Sequence, residues 1–368
     1  MQDHVARDEY YMQLAYELAL KGRGKTSPNP MVGAVIVKHN RVIGRGWHRR
    51  CGGPHAEILA MRQAGPRAVK GAALYVTLEP CFVQGRTPPC VDAVIASGIK
   101  TVVIGVKDPN PATHGKSIRK LRRAGILVRV GVLSGCLTEM NTAFEKYILT
   151  GMPWVVTKTA QTLDGKIAAS TGHSQWITSP QARRFARTLR NEFDAIMVGV
   201  ETVLKDDPAL NPDSPRRPLK KIVVDSRLRT PLHARLFQGS DPGDCWLATS
   251  ALADPARVER YRRRGHEVII CPGRQSRVDL PWLFRSLPQK GVTRVLIEGG
   301  ARLIGSALKD KLVDRMHVYI APAILGDAGG LSSVVGFQRL KINECTRLSW
   351  LHSRLIGQDM FIQARVNY

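Results

Sequence analysis

Leu74-Tyr75-Val76-Thr77-Leu78-Glu79-Pro80-Cys81 is an apolar, aromatic and β-branched run that stops at a Pro-Cys pair. A run of this length and composition reads as a buried strand, here delivering Glu79-Pro80-Cys81 at its end. Pro88-Pro89-Cys90 follows, and the pattern predicts a helix from Pro89 to Ser97 and a second strand at Thr101–Val106. Working outward, Ser117–Ala124 reads as helix and Leu127–Val132 as strand. Upstream come an amphipathic helix over residues 8–22, a strand pair at Val32–Val37 and Arg41–Trp47 turning at His39-Asn40, and a helix from His55 to about Ala64. Strands alternating with helices imply an α/β sandwich on a largely parallel sheet, with the loops at one end free to carry chemistry.

His55-Ala56-Glu57 opens one of those helices, and Cys81 and Cys90 flank the start of another. One imidazole and two thiolates fill three tetrahedral positions of Zn²⁺ and leave the fourth for water. The metal lowers the pKa of that water to about 7. Glu57, not a ligand, is placed to move the proton to a departing amine, the pattern of zinc nucleobase deaminases. Cys90 at a helix start gains from the positive dipole end, which favours a thiolate. The bland reading, ordinary buried His and Cys, fits either half alone but poorly fits both halves in this order.

At 368 residues and 43% hydrophobic content, the chain exceeds one core and predicts two domains, residues 1–150 and 151–368, divided at Gly151-Met152-Pro153. No run of 18 apolar residues occurs, and the acidic N-terminus does not read as a signal peptide; a soluble cytoplasmic protein is expected. Seven scattered cysteines argue against a disulfide framework; Cys51, Cys136, Cys245, Cys271 and Cys345 read as core or surface thiols. The net charge of +25 is shared by both halves, with clusters at Lys116–Arg123 and Arg260–Arg264 that read as solvated helix faces. Such a surface attracts polyanions without specificity and helps collect phosphorylated substrates.

The second half restarts with the strand Trp154–Lys158 and alternates again: helix from Ser179, strands Ala195–Val200 and Lys221–Asp225, helix from Asp254, strand Val268–Cys271. The strand Val292–Ile297 leads into Glu298-Gly299-Gly300 and an apolar helix, a geometry that sets backbone N–H groups against a phosphate. Thr162-Leu163-Asp164-Gly165-Lys166 and Ser174-Gln175-Trp176-Ile177-Thr178 add a tight turn, hydroxyls and an indole. Residue chemistry alone leaves a nucleotide-binding domain and plain helix capping both open.

With both halves in view, the chain resembles the bifunctional deaminase/reductases of riboflavin biosynthesis over nearly its whole length. The resemblance rests on Ser27-Pro28-Asn29-Pro30-x-Val32-Gly33, His55-Ala56-Glu57, Tyr75 to Cys81, Gly85 to Cys90 and Asp108-Pro109-Asn110-Pro111. It continues in Thr162-Leu163-Asp164-Gly165, Ser174-x-Trp176-Ile177-Thr178, Thr202-Val203-Leu204-x-Asp206-Asp207-Pro208 and Glu298-Gly299-Gly300. The eight-residue gap between Cys81 and Cys90 is typical of this family; cytidine and tRNA deaminases more usually have Pro-Cys-x-x-Cys.

The resemblance implies a cytidine-deaminase-like α/β/α sandwich followed by a dihydrofolate-reductase-like α/β domain, with zinc and NADPH as cofactors. The first domain would deaminate a diaminopyrimidinone carrying ribosylamino phosphate; the second would reduce its opened ribose to ribitol. Carried over by position, Asn29, His48, Arg86 and Asn110 would line the deaminase pocket, with Glu57 catalytic and His55, Cys81 and Cys90 on the metal. Lys158, Ser174, Arg190, Leu210 and Glu298 would face the reductase substrate. Ala160, Trp176, Thr178, Thr202, Asp206, Ser226, Gly299 and Gly300 would hold NADPH. Read without the resemblance, Trp176 and Leu210 are core and Arg190 is a solvated helix charge. The partners implied are a phosphorylated pyrimidine and a second copy of the chain in a dimer or tetramer, with no membrane and no specific nucleic acid.

Three departures from the family pattern stand out. Phe82-Val83-Gln84 replaces a polar segment such as Ser-His-His, and Gly115-Lys116-Ser117 replaces Gly-x-Gly. Asp213 stands where an Arg usually faces the anionic substrate, so Arg216 or Arg217 is expected to swing in as a substitute. These departures leave a second reading, one domain impaired and the other active. A third, a nucleic-acid deaminase or binder, rests on the charge alone and lacks a recognised module.

Overall fold

The computed structural model of the protein describes residues 2–84, 88–215, 217–273, 276–337 and 339–368. Two compact units emerge, Met1–Gly151 and Met152–Tyr368. In the first, α1 (Gln2–Leu20), β1 (Gly33–Lys38), β2 (Arg41–Trp47), α2 (Ala56–Ala64), α3 (Pro66–Val69) and β3 (Ala73–Leu78) precede α4 (Cys90–Ala96). Then come β4 (Thr101–Val106), α5 (Lys116–Arg123), β5 (Leu127–Val130) and α6 (Ser134–Thr150).

The sheet order is β2-β1-β3-β4-β5, antiparallel across β1 and parallel from β3 to β5. Alternation along β1 sends Ala34 and Ile36 to one face, packed with Ala56, Ala60, Val91, Val94 and Leu121 of α2, α4 and α5. Val35 and Val37 go to the other face, against Met12 and Ala15 of α1 and Leu137 of α6. The result is an α/β/α sandwich. Gly46 is required for it, since a Cβ there would sit 2.1 Å from the Ala56 carbonyl oxygen at the start of α2. The first helix begins six residues earlier than the pattern indicates, at Gln2.

The second unit holds β6 (Trp154–Gln161), β7 (Lys166–Ala168), α7 (Pro180–Leu189), β8 (Ala195–Gly199), α8 (Val200–Asp206), β9 (Lys220–Val224) and β10 (Cys245–Ser250). It continues with α9 (Pro255–Arg262), β11 (Glu267–Cys271), α10 (Leu280–Ser286), β12 (Arg294–Glu298) and α11 (Ala301–Lys309). It closes with β13 (Arg315–Ile320), β14 (Leu331–Ser332), β15 (Arg347–Ile356) and β16 (Asp359–Asn367). Nine strands form one sheet, β11-β10-β9-β8-β12-β6-β13-β16-β15, parallel from β11 to β13 and antiparallel at the β16-β15 hairpin. Helices α10 and α11 bury Phe284, Ile304 and Leu308 on one face; α7 lays Ala182 and Ala186 over Tyr319 and Phe361 on the other. Ser179 caps α7 by accepting from the Ala182 N–H, with Pro180 at the first helical position. No helix among the described residues is long and apolar enough to cross a membrane.

Candidate active sites

Strand β3 ends at Leu78 and the chain turns through Glu79-Pro80, so Cys81 emerges at the carboxyl edge of the first sheet. Cys90 is the first residue of α4, and its backbone N–H donates to Cys81 Sγ at 3.2 Å. His55, the N-cap of α2, puts Nδ1 3.1 Å from Cys90 Sγ and 3.5 Å from Cys81 Sγ. All three ligand atoms lie within 4.8 Å of one another. A tetrahedral Zn²⁺ with the usual bond lengths has N–S edges of about 3.5 Å, so this donor set fits zinc in type and spacing. The hydrogen bond from Cys90, with the His55 ring adding to it, holds the Cys81 thiol well below the usual thiol range, while that same bond, then burial, pushes Cys90 up. Two thiols that cannot both ionise side by side become a stable pair once a dication stands between them.

Glu57 sits in the first turn of α2 and is 3% exposed; burial pushes its carboxyl up to about 7. It is not one of the three converging donors. Glu57, His55 and Cys81 line a cavity of ≈ 410 Å³, which Asn29, His48 and Asn110 also line. Pro54 O can only accept, so His48 Nδ1 donates to it at 3.3 Å. Burial lowers the pKa of His48, and its neutral Nε2 accepts from Asn29 Nδ2 at 3.1 Å. Arg86 lies outside the described residues.

Several wall residues escape a motif reading. Asn141 of α6 exchanges two 2.9 Å hydrogen bonds with the Met31 backbone and so holds the Asn29 segment against the cavity. Phe144 and Ile148 of the same helix line the cavity from apolar positions indistinguishable from core in sequence. Cys51, read as a core or surface thiol, is in the cavity wall. Glu79, 2% exposed, accepts four backbone N–H groups from residues 108–118. Phe82 packs against the first core under the ammonium groups of Lys116 and Lys120, while Val83 faces the cavity.

In the second unit, Glu298 at the end of β12 accepts from Arg190 Nε and Nη2 at 2.8 and 3.0 Å and pairs with Lys158 of β6 at 3.4 Å. Burial alone would raise its pKa, but the charges of Arg190 and Lys158 outweigh that and hold it at about 2. Arg190 is thus no solvated helix charge; its side chain is 11% exposed. Gly299 and Gly300 follow with φ of 97° and 83°, conformations that favour glycine, and Thr202 stands beside both. A Cβ on either would meet its neighbours only at ordinary contact, 3.4–3.6 Å, so the backbone conformation and not lack of space calls for glycine here. Gly300 is the N-cap of α11 and has no side-chain cap, so this turn presents backbone N–H groups in a cradle of the kind that can hold a nucleotide phosphate.

Ser174 hydrogen-bonds Asp206 of α8, whose pKa burial raises. Ala160, Thr202, Ser226 and the Gly299-Gly300 turn all follow or end parallel strands at their carboxyl edge, where ligands of open α/β sheets bind. Thr178 is buried just before the Ser179 cap, and its carbonyl accepts from Arg183. Trp176 is not core: it is 69% exposed, with the Arg183 guanidinium over its ring. Leu210 is core, packed with Val156 and Val198, which leaves only its backbone, at φ 59°, to meet a ligand. Asp213 is held by Arg187 at 2.8 Å. The expectation for Arg217 is corrected: its Nη1 pairs with the buried Asp194, so it is already committed; Arg216 lies outside the described residues.

Residues 153–362 match the model of the RibD C-terminal domain, and residues 5–106 match that of the cytidine and deoxycytidylate deaminase zinc-binding region. The riboflavin biosynthesis protein RibD of Aquifex aeolicus is 44% identical over 359 residues, covering 96% of this chain and 97% of its own. RibD of Escherichia coli is 40% identical, with 96% and 98% covered. Among solved structures, RibD of Acinetobacter baumannii superposes with a TM-score of 0.88 at 34% identity, covering 99% of this chain and 100% of that one. A diaminohydroxyphosphoribosylaminopyrimidine deaminase/5-amino-6-(5-phosphoribosylamino)uracil reductase of Thermotoga maritima gives 0.86 at 33% identity, with 99% and 100% covered.

Proposed function

The chain belongs to the RibD family, bifunctional deaminase/reductases of riboflavin biosynthesis, and on that premise we propose that its two units divide the two reactions. Residues 1–150 deaminate 2,5-diamino-6-ribosylamino-4(3H)-pyrimidinone 5′-phosphate, and residues 151–368 reduce the ribosyl group of the product to ribityl with NADPH. The observation that carries the first assignment is the convergence of His55, Cys81 and Cys90 beside a buried Glu57 in one cavity.

Zinc, when held by those three residues, supplies a water acidified to about pKa 7. Glu57, buried and tuned near neutrality, takes up a proton and hands it to the amine that leaves the ring. Asn29 and the neutral His48 orient the pyrimidine through their shared hydrogen-bond chain, with Asn110 on the opposing loop.

NADPH supplies the hydride for the second reaction. The Gly299-Gly300 cradle, Thr202, Asp206, Ser226, Thr178, Trp176 and the Ala160 backbone hold it, and Lys158, Arg190, Ser174, Glu298 and the Leu210 backbone face the sugar phosphate. Mass spectrometry of the product, from zinc-loaded protein with and without NADPH, tests the reading. Exchange of an amino group for oxygen without NADPH, then gain of two hydrogens with it, is the expected result; no deamination would overturn the first assignment.

The protein acts as a homo-oligomer in the cytoplasm, a compartment that suits its seven free cysteines. What supports self-association is β15, a ten-residue strand at the edge of the nine-stranded sheet whose Trp350 and Leu355 are 70% and 66% exposed. A long edge strand left open, with large apolar side chains exposed on it, is a pairing surface. Trp350→Asp is expected to shift the molar mass measured by light scattering to that of one 40.6 kDa chain. An unchanged mass would place the interface elsewhere.

A further inference from the structure

The function uses Cys81 on the metal and Asn110 on the substrate, yet these residues come from different loops. One carboxylate joins the loops. Glu79 ends the β3 segment two residues before Cys81, and its own backbone N–H donates to the Val106 carbonyl at 2.9 Å. Its Oε2 accepts from the backbone N–H groups of Asp108 and Gly115 at 3.2 and 2.9 Å. Its Oε1 accepts from Ser117 and Ile118 at 3.1 and 3.3 Å. The four donors span the segment between β4 and the first turn of α5. That turn has no side-chain cap of its own, because Gly115 stands at the N-cap.

Between those anchor points the loop folds on itself: Asp108 Oδ1 accepts from the Asn110 N–H and Asn110 Oδ1 from the Ala112 N–H, both at 2.9 Å. Asp108, Asn110 and Thr113 of this loop, and Glu79 itself, line the cavity. A carboxylate 2% exposed with four N–H donors aimed at it is a strong, charge-assisted clamp.

We infer that Glu79 is a positioning residue for substrate binding by the first unit: its carboxylate fixes the Asp108–Thr113 loop relative to Cys81, and so holds Asn110 where it takes up the pyrimidine. This rests on the function proposed above for the first unit. Glu79 takes no proton and touches neither the metal nor the amine that leaves.

Glu79→Gln keeps the shape but turns one acceptor oxygen into an amide nitrogen facing two N–H donors. Losing one or two hydrogen bonds to an ionised acceptor should raise KM for the diaminopyrimidinone about 10- to 100-fold, with kcat changed by less than about threefold. Zinc content should stay at the wild-type value. Because Glu79 acts through Asn110, adding Glu79→Gln to an Asn110→Ala protein should raise KM little further.

A KM at the wild-type value would overturn the inference. So would zinc loss with effects that add to those of Asn110→Ala, the signature of a merely structural role. If Glu79→Gln does not accumulate as folded protein, Glu79→Asp carries the same test, since it keeps the charge but is one methylene short; an unchanged KM there also overturns it. Reduction of the already deaminated pyrimidine by the same preparations is the internal control. A wild-type protein that does not deaminate would instead overturn the function of the first unit.

Discussion

Glu57→Gln will lower the kcat of deamination by about 10²- to 10⁴-fold, the range for losing a positioned acid–base group. The substitution is isosteric, so the cavity keeps its volume, and Glu57 is not among the converging metal donors, so zinc content should not change. Gln cannot carry a proton between water and the leaving amine. The carboxyl it replaces is suited to that task because burial lifts it to about 7, where it can be found in either state at neutral pH. Reduction of the already deaminated pyrimidine should proceed at the wild-type rate. The measurement is the rate of product formation by mass spectrometry, alongside zinc content by elemental analysis. Retained kcat would mean that another group moves the proton. Loss of zinc would mean that Glu57 supports the ligands rather than the chemistry.

Most of this site was legible because its chemistry needs rare residue types at fixed chain positions. His55 and Cys90 each stand at a helix start, and the helix starts are readable from the apolar periodicity that follows them. The same holds for Ser179, whose cap and Pro180 mark α7, and for Gly299-Gly300 after the apolar β12. What sequence could not give were pairings set by the tertiary fold. Glu79 finds its four donors 29 to 39 residues downstream, and nothing local distinguishes it from a solvated Glu after a strand. Asn141 reaches Met31 across 110 residues. Arg190 and Leu210 show the limit from both sides: the charge at a helix end proved buried and paired, while the leucine carried over as a ligand residue packs in the core. β15 shows how a strand escapes the sequence pattern altogether. Its residues are nearly all exposed, so it lacks the alternation from which a half-buried strand is recognised.

Glu298→Ala should destabilise the second unit by about 3 kcal/mol and abolish reduction while leaving deamination intact. The size follows from the charge it supplies. Removing one member of a buried ion pair leaves its partners uncompensated, at a cost of about 3–5 kcal/mol. Glu298 is the anion shared by Arg190 and Lys158, all three side chains being no more than 21% exposed. The same two cations are what depress its pKa despite burial, so the direction of the shift reports this pairing. The sign of the pH dependence follows. The folded-state pKa is depressed, so the stabilisation is fully present above pH of about 4.5 and drains away as pH falls toward 2. Wild-type protein should therefore lose stability through that window, and Glu298→Gln, which keeps the shape without the charge, should lose less there because it starts without the contribution. Calorimetry of both proteins across pH 2 to 6 reads this directly. Equal pH slopes would mean that the carboxylate contributes nothing to stability, and retained reduction in Glu298→Gln would mean that Lys158 and Arg190 hold their places without it.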